Sequence, residues 1–179
     1  MRDCSNCSRP RNLRIELAMK IYLNFDGVLH PNHVTYRYGT NPELVAPGHR
    51  PLEYAPILAA AIEPYPDVEI VLNTWWTLFL GIDASIALLP ATLARRVVDS
   101  TLHEARQYTK LPSRLLQAEM HVASGTSHSV ILLDHADVSY SATHASAVLT
   151  CSCLEGLSGV SELRCLTRRL RLLCTTYDS

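Results

Sequence analysis

Residues 21–31 read IYLNFDGVLHP, and this stretch decides the fold. The apolar run that opens it begins at Met19 and ends on polar residues, a pattern typical of a buried parallel strand. Alternate side chains of a strand share a face, so Asn24 and Asp26 start out on the same side. Gly27 then lets the chain turn sharply. Two acidic groups at this spacing suit a pair of roles, one attacking or binding a metal and the other moving protons. Here the first group is an amide.

Two further apolar runs, residues 68–74 and 130–134, have the same character as residues 19–26. Such strands, alternating with helices, predict a doubly wound, Rossmann-like α/β sheet that is mainly parallel. Ligands of these folds bind beyond the carboxyl ends of the strands. We therefore predict a polar site where the three runs end. Helices are predicted over 51–63, 113–124 and 161–173, a loop or flap over 31–50, and mainly helix over 77–104 with a short strand at 96–98.

Three segments resemble the motifs of haloacid dehalogenase-like (HAD) phosphohydrolases, namely residues 21–29, 70–76 and 130–137. The first matches an apolar run followed by Asp, any residue, Asp, Gly, Val and Leu, except that its first Asp is Asn24. The second resembles the family's strand ending in Ser or Thr, and the third its acidic metal-binding motif. The resemblance implies helices on both faces of the sheet and a minimal cap, as in small bacterial members, and some similar domains accompany RNA-repair enzymes. It assigns residues 19–179 to one domain, and we expect residues 1–18 to form a poorly ordered leader.

Carried over residue by residue, the resemblance gives the strand-end side chains catalytic and phosphate-binding roles. Asn24 occupies the position of the nucleophile that takes the phosphoryl group in active members. Asp26 matches the general acid/base. Thr74 matches the hydroxyl that binds the phosphoryl group, with Asn73 as the weaker candidate for this role.

The resemblance also implies Mg²⁺ as the cofactor. The side-chain oxygen of Asn24, the backbone carbonyl of Asp26 and the carboxylate of Asp134 match its ligands, and Asp137 would support the ion through water. Carboxylate and carbonyl oxygens suit this hard cation. His135 stands where the family commonly carries a second acid, which weakens the predicted site.

Two alternatives stay open from the sequence. The cation that holds the phosphate is either Lys110, which is slightly preferred, or Arg114 at the start of a helix. A transition-metal site built from histidines, with His30, His33 and His135 as candidates, is less favoured than magnesium.

The amide at position 24 decides the predicted activity. An amide is a poor nucleophile, and removing a nucleophile typically costs on the order of 10⁴-fold or more in rate. We therefore predict a HAD-type phosphohydrolase site that holds a phosphorylated ligand with little or no turnover. Asn24 is either an engineered replacement that traps substrate, or the mark of a natural pseudo-phosphatase that serves as a ligand- or protein-binding module. A purely structural HAD-like module is a further alternative.

Composition limits the partners and the compartment. With 179 residues, 47% of them hydrophobic, the chain fits one globular domain. A net charge of −1 argues against a broad nucleic-acid surface, although an RNA or DNA end stays open as part of the substrate. No apolar run has the length needed to cross a membrane. The six cysteines include the pairs Cys4-x-x-Cys7 and Cys151-x-Cys153, and we interpret them as reduced thiols of a cytoplasmic protein rather than as a zinc site.

Overall fold

A computed structural model describes residues 19–102, 111–125, 127 and 129–175. The predicted leader and Lys110 therefore lie outside the described residues. The strands are β1 (Lys20–Leu23), β2 (Val34–Thr35), β3 (Glu43–Leu44), β4 (Glu69–Leu72), β5 (Val97–Ser100), β6 (Val130–His135) and β7 (Val148–Cys151). The helices are α1 (Ala55–Ile62), α2 (Trp76–Leu80), α3 (Ile82–Ala87), α4 (Ala91–Ala94), α5 (Arg114–Ser124) and α6 (Val160–Thr175).

The main sheet has five strands in the order β5-β4-β1-β6-β7, and every neighbouring pair is parallel. The central strand β1 lies between β4 and β6, with Leu23 in register with Leu72 on one side and Leu133 on the other. This register brings the ends of the three predicted strands to the same edge of the sheet. The doubly wound α/β prediction is confirmed.

Helices cover both faces of this sheet because its strands are apolar on both sides. On one face, Ile21 and Leu23 belong to a core that also contains Leu58 of α1 and Leu166 of α6. On the other face, a smaller cluster joins the strands to α5 through Tyr22, Val71, Leu132 and Ala118. None of the helices in the described part of the chain has the length and apolar character that crossing a lipid bilayer requires.

Local signals set several element boundaries. The hydroxyl oxygen of Ser113 accepts a hydrogen bond from the backbone N–H of Leu116 at 3.3 Å, so this residue caps α5 as predicted, and the helix ends before Gly125. The predicted helical region 77–104 is divided into α2, α3 and α4, with Gly81 and Pro90 at the breaks, and then forms β5. Strand β7 was not predicted from the sequence.

The segment between β1 and α1 forms the predicted flap beside the end of the first strand. It contains the antiparallel pair β2 and β3, in which Val34 pairs with Leu44. The chain enters this segment through Gly27, whose φ is +70°. A Cβ at this glycine would lie 2.5 Å from the Cβ of His135, so the close approach of the two segments requires glycine as well as the turn.

Candidate active site

The predicted polar residues meet at the carboxyl edge of the sheet. Asn24 directly follows β1, Asn73 and Thr74 follow β4, and Asp134 lies near the end of β6. All four side chains are buried, and hydrogen bonds connect Asn24 directly to Asp134. The sheet therefore forms a buried polar cluster where the sequence predicted a site.

Asn24 is bound through its amide nitrogen. Nδ2 donates to the backbone carbonyl of Asp26 at 2.7 Å and to Oδ1 of Asp134 at 3.0 Å. These two acceptors fix the orientation of the amide, because the reversed amide would place its oxygen against two other oxygens. Within the described part of the chain, the buried Oδ1 of Asn24 has no hydrogen-bond partner. Leaving such an oxygen without a donor costs about 1–3 kcal/mol, so the site favours a ligand or water that donates a hydrogen bond to it.

The carboxylate of Asp26 accepts hydrogen bonds from three side chains. Nε2 of His30 lies 3.2 Å and Nε1 of Trp76 lies 2.8 Å from Oδ1, and the hydroxyl of Tyr36 donates to Oδ2. Burial raises the pKa of Asp26, but the hydrogen bonds from His30, Tyr36 and Trp76 outweigh it and hold the pKa below its ordinary value. Asp26 is therefore ionised near neutral pH, and its carboxylate is a weaker base than an ordinary aspartate.

Both ring nitrogens of His30 take part in hydrogen bonds that hold this arrangement. Its Nδ1 accepts from the backbone N–H of Leu52 at 3.2 Å, so Nε2 carries the proton that is donated to Asp26. Leu52 has a φ of +57°, a left-handed conformation that a leucine rarely adopts. Because both ring nitrogens of His30 make hydrogen bonds, the alternative in which His30 binds a transition metal is not favoured. His33 lies exposed in the flap.

Asp134 is paired with Arg114. The guanidinium donates twice, from Nη1 to Oδ2 and from Nη2 to Oδ1 at 3.1 Å, and both side chains are buried. The hydroxyl of Tyr140 also donates to Oδ2 at 2.8 Å. Burial lowers the pKa of Arg114, but the charge of Asp134, the hydrogen bonds to it and the nearby Tyr140 and Asp26 together raise this pKa above its ordinary value. Arg114 thus contacts an acidic residue of the cluster, whereas the competing candidate Lys110 lies outside the described residues.

These contacts decide how well the cluster fits Mg²⁺. The ion requires oxygen ligands in near-octahedral geometry. Here the carbonyl of Asp26 and the carboxylate of Asp134 already accept N–H groups from Asn24, and Asp134 also holds the cationic Arg114. The carboxylate of Asp137 is engaged elsewhere, because it accepts a hydrogen bond from the thiol of Cys153 at 3.0 Å. As arranged, the side chains do not fit the ion, and magnesium stays a prediction.

The side chains of Thr74 and Asn73 differ in the hydrogen bonds that they make. Among the residues that the structure describes, the hydroxyl oxygen of Thr74 accepts one long hydrogen bond, 3.4 Å from the backbone N–H of Trp76. Asn73 donates to the hydroxyl of Tyr140 at 3.2 Å and accepts from Thr101 at 2.8 Å, so its amide is used at both ends. Of the two side chains, that of Thr74 is the less engaged among the described residues, and its role as the phosphoryl-binding hydroxyl stays a prediction.

Aromatic side chains close the cluster. The ring of Tyr36 lies edge-on to Trp75, with centroids 5.6 Å apart, and packs against Phe79 at 5.0 Å. Its hydroxyl reaches Asp26, so the flap covers the carboxylate. Sequence reasoning missed Tyr36, Trp76 and Tyr140 as partners of the two aspartates. The only available signal was the position of Trp76, two residues after Thr74.

The parallel sheet and the strand-end cluster define a HAD-like domain. A family model described as the HAD domain in Swiss Army Knife RNA repair proteins matches residues 20–160, and the chain belongs to this family. Membership brings a phosphohydrolase-like function, and HAD domains generally use Mg²⁺. Neither the curated proteins nor the solved structures contain a match to the chain.

Proposed function

We propose that this chain binds a phosphorylated ligand, with a phosphorylated RNA end as the favoured class, and hydrolyses it little or not at all. The observation that carries the proposal is the amide of Asn24, which stands at the nucleophile position and bonds the Asp26 carbonyl and Asp134 through its two N–H groups. Membership of a family found in RNA repair proteins supports the class of ligand.

The chemistry of the side chains supports the absence of turnover. Phosphoryl transfer in the family's manner needs a carboxylate oxygen to form a bond to phosphorus. The Asn24 nitrogen has no free lone pair for this attack, because its electrons are delocalised into the amide and its hydrogens are bound to Asp26 and Asp134. The lowered pKa of Asp26 further disfavours protonation of a leaving group by this residue.

The charges of the cluster are compatible with an anionic ligand. The cluster contains the carboxylates of Asp26 and Asp134 and the guanidinium of Arg114. An amide at position 24 adds no third carboxylate to them. Removing one negative charge about 4 Å from a phosphate weakens the repulsion by about 1–4 kcal/mol, depending on the effective dielectric constant. Arg114 has five N–H donors, and two of them bond Asp134 in the described part of the chain, so we propose that another contacts a phosphate oxygen.

The internal hydrogen bonds of the two aspartates favour a second candidate function. Asp26 and Asp134 accept hydrogen bonds from several groups of the chain itself, and Tyr36 covers the first of them. These internal hydrogen bonds support a natural pseudo-phosphatase that acts as a binding module. In such a protein the polar cluster would stabilise the fold instead of catalysing hydrolysis.

Binding of short oligoribonucleotides tests the proposal. The chain has two tryptophans, and both lie at the site, so their fluorescence reports ligand entry past Tyr36. We expect oligonucleotides with a 5′- or 3′-phosphate to bind at least ~10-fold more tightly than the same sequence with hydroxyl ends, which corresponds to ~1.4 kcal/mol. Thr74→Val should reduce this preference without unfolding the chain. Equal affinity for phosphorylated and unphosphorylated ends would overturn the proposal.

Phosphate release tests the second half of the proposal. The unaltered chain should release no phosphate above background from the bound oligonucleotide or from an aryl phosphate, with or without Mg²⁺. Catalytic release that disappears in Asp26→Asn would contradict the assignment of Asn24 as a silenced nucleophile.

A further inference from the structure

The cluster formed by His135, Asp137 and Cys153 carries an inference that does not rest on the proposed function. One potential ligand atom from each residue lies within 4.8 Å of those of the other two. The Sγ of Cys153 is 3.0 Å from Oδ2 of Asp137 and 3.8 Å from Nδ1 of His135. A tetrahedral zinc ion with ligands at about 2.0–2.3 Å places its ligand atoms roughly 3.3–3.7 Å apart, so these separations need little adjustment.

The backbone holds the cluster together independently of these side chains. The N–H of Asn32 donates to the carbonyl of Cys153 at 2.7 Å, and the N–H of Ala136 donates to the carbonyl of Cys151 at 2.9 Å. These two bonds tie the loop after β7 to the loops after β1 and β6. The ligand loops are therefore positioned before any ion is bound, which lowers the ordering cost of binding.

His135 presents an unprotonated ring nitrogen near the other two ligands. Its Nδ1 accepts long hydrogen bonds from the N–H of Asp137 at 3.3 Å and from the amide of Asn32 at 3.4 Å, and a metal ion would replace these weak bonds. Its Nε2 lies 3.9 Å from Oδ1 of Asp134, which is longer than a hydrogen bond. A small rotation of the ring would bring this nitrogen to the carboxylate, the partner that metal-binding histidines usually have.

The geometry points to a binding site for a divalent transition metal, with zinc as the best match, held by Nδ1 of His135, a carboxylate oxygen of Asp137 and the thiolate of Cys153. The ligand types select a borderline metal rather than magnesium. Binding releases the thiol proton of Cys153 to solvent and breaks its hydrogen bond to Asp137. The side-chain amide of Asn32 lies 3.4 Å from Nδ1 of His135, so either its oxygen, after rotation of the amide, or a water molecule would supply the fourth ligand.

The site differs from the three metal sites considered from the sequence, although it shares His135 with the histidine site, Asp137 with the magnesium site and Cys153 with a cysteine pair. Cys151 is fully buried in the core, whereas Cys153, two residues later, faces His135, so Cys151-x-Cys153 does not act as a chelating pair. Asp137 pairs with a thiol here instead of supporting a magnesium ion. The ion would lie beside the phosphohydrolase cluster, joined to it through His135 and Asp134.

Cobalt binding tests the site, because cobalt replaces zinc and a thiolate–cobalt bond gives a charge-transfer band. The experiment uses the reduced, metal-free full chain carrying Cys4→Ser and Cys7→Ser, since that pair could bind cobalt by itself. We expect one equivalent of Co²⁺ to produce the band and the visible spectrum of a four-coordinate ion, and Zn²⁺ to abolish both.

Single replacements identify the ligands. Cys153→Ser should remove the charge-transfer band, and Asp137→Asn should weaken cobalt binding by ~10-fold or more, since even partners outside the ligand set are worth 10–100-fold. The matched control is Cys165→Ser, which changes an exposed cysteine and should leave the spectrum unchanged. Persistence of the band in Cys153→Ser, or its absence from the parent chain, would overturn the inference. Neither result depends on whether phosphorylated RNA binds.

Discussion

Replacing Asn24 with Asp should destabilise the chain when metal is absent. The replacement removes two N–H donors, one to the carbonyl of Asp26 and one to Asp134, and each such bond contributes about 1 kcal/mol. It also places a carboxylate oxygen about 3.0 Å from Oδ1 of Asp134, the distance now spanned by the hydrogen bond. At an effective dielectric constant of ~20, two unit charges at that separation repel by about 5.5 kcal/mol.

The net cost should be smaller than the sum of these terms. Arg114 already neutralises much of the charge of Asp134, and the new side chain can rotate or take up a proton. We expect a loss of about 3–6 kcal/mol in the free energy of unfolding at pH 7 with a chelator present. A carboxyl in this position has a raised pKa, so it is destabilising above that pKa, and the loss should shrink as the pH falls from 7 towards 5.

Denaturant melts of both proteins, with a chelator and then with Mg²⁺, measure these effects. Restoring the carboxylate frees the Asp26 carbonyl from its amide donor, so Mg²⁺ should stabilise the Asn24→Asp variant and leave the unaltered chain unchanged. Asn73→Asp is the matched control, because it makes the same change at the neighbouring strand end, where the amide bonds Tyr140 and Thr101 instead. Equal stability of the Asn24→Asp variant and the unaltered chain in chelator would refute the reasoning, as would an equal Mg²⁺ effect on both.

Three other replacements test the remaining parts of the site. Asp26→Asn should cost about 2–4 kcal/mol at pH 7, because hydrogen bonds to a charged group are lost. Since the folded pKa of Asp26 is below its ordinary 3.8, this difference should be constant above about pH 5 and should disappear in melts as the pH falls through the folded pKa. Arg114→Met leaves a buried carboxylate unpaired and should cost about 3–5 kcal/mol in urea melts, and a loss under 1 kcal/mol would show that the ion pair does not form. Gly27→Ala should lower the melting temperature more than Gly48→Ala, since both have positive φ but only at Gly27 would the new Cβ lie 2.5 Å from His135.

The sequence predicted the sheet well because its three central strands are apolar on both faces. Runs such as residues 68–74 and 130–134 have one stable environment, the middle of a parallel sheet. Strand β7 was missed because it lies at the edge of the sheet and alternates buried Leu149 and Cys151 with the exposed Thr150, so it lacks a continuous apolar run. Such an edge strand is specified by its neighbour β6 rather than by its own composition.

The sequence predicted where the polar strand ends meet. It did not predict which side chains bond one another there. The strand ends placed Asn24, Thr74 and Asp134 together, which follows from topology alone. The partner of Arg114 depends on where α5 packs on the sheet, and the sequence could not distinguish a guanidinium facing a phosphate from one facing Asp134. Likewise, His135 could be recognised as a replaced acid, but its approach to Cys153 depends on the turn between β7 and α6.

The contacts of Asn24 and Arg114 bear on how the amide arose. If the amide were an isolated change in a working phosphatase, its neighbours would still be arranged for a carboxylate and a metal. Instead the Asn24 nitrogen bonds both acceptors expected to bind the metal, and Arg114 supplies the positive charge beside Asp134. Arg114 offsets one of the two negative charges of Asp26 and Asp134, and the hypothesis of a natural origin predicts that this pairing persists when a carboxylate is restored at position 24. Restoring Asp at position 24 alone should therefore give no metal-dependent hydrolysis of an aryl phosphate, since Arg114 still occupies Asp134. Hydrolysis that appears in the single Asn24→Asp variant would instead show that the surrounding site was competent and that the amide is a recent replacement.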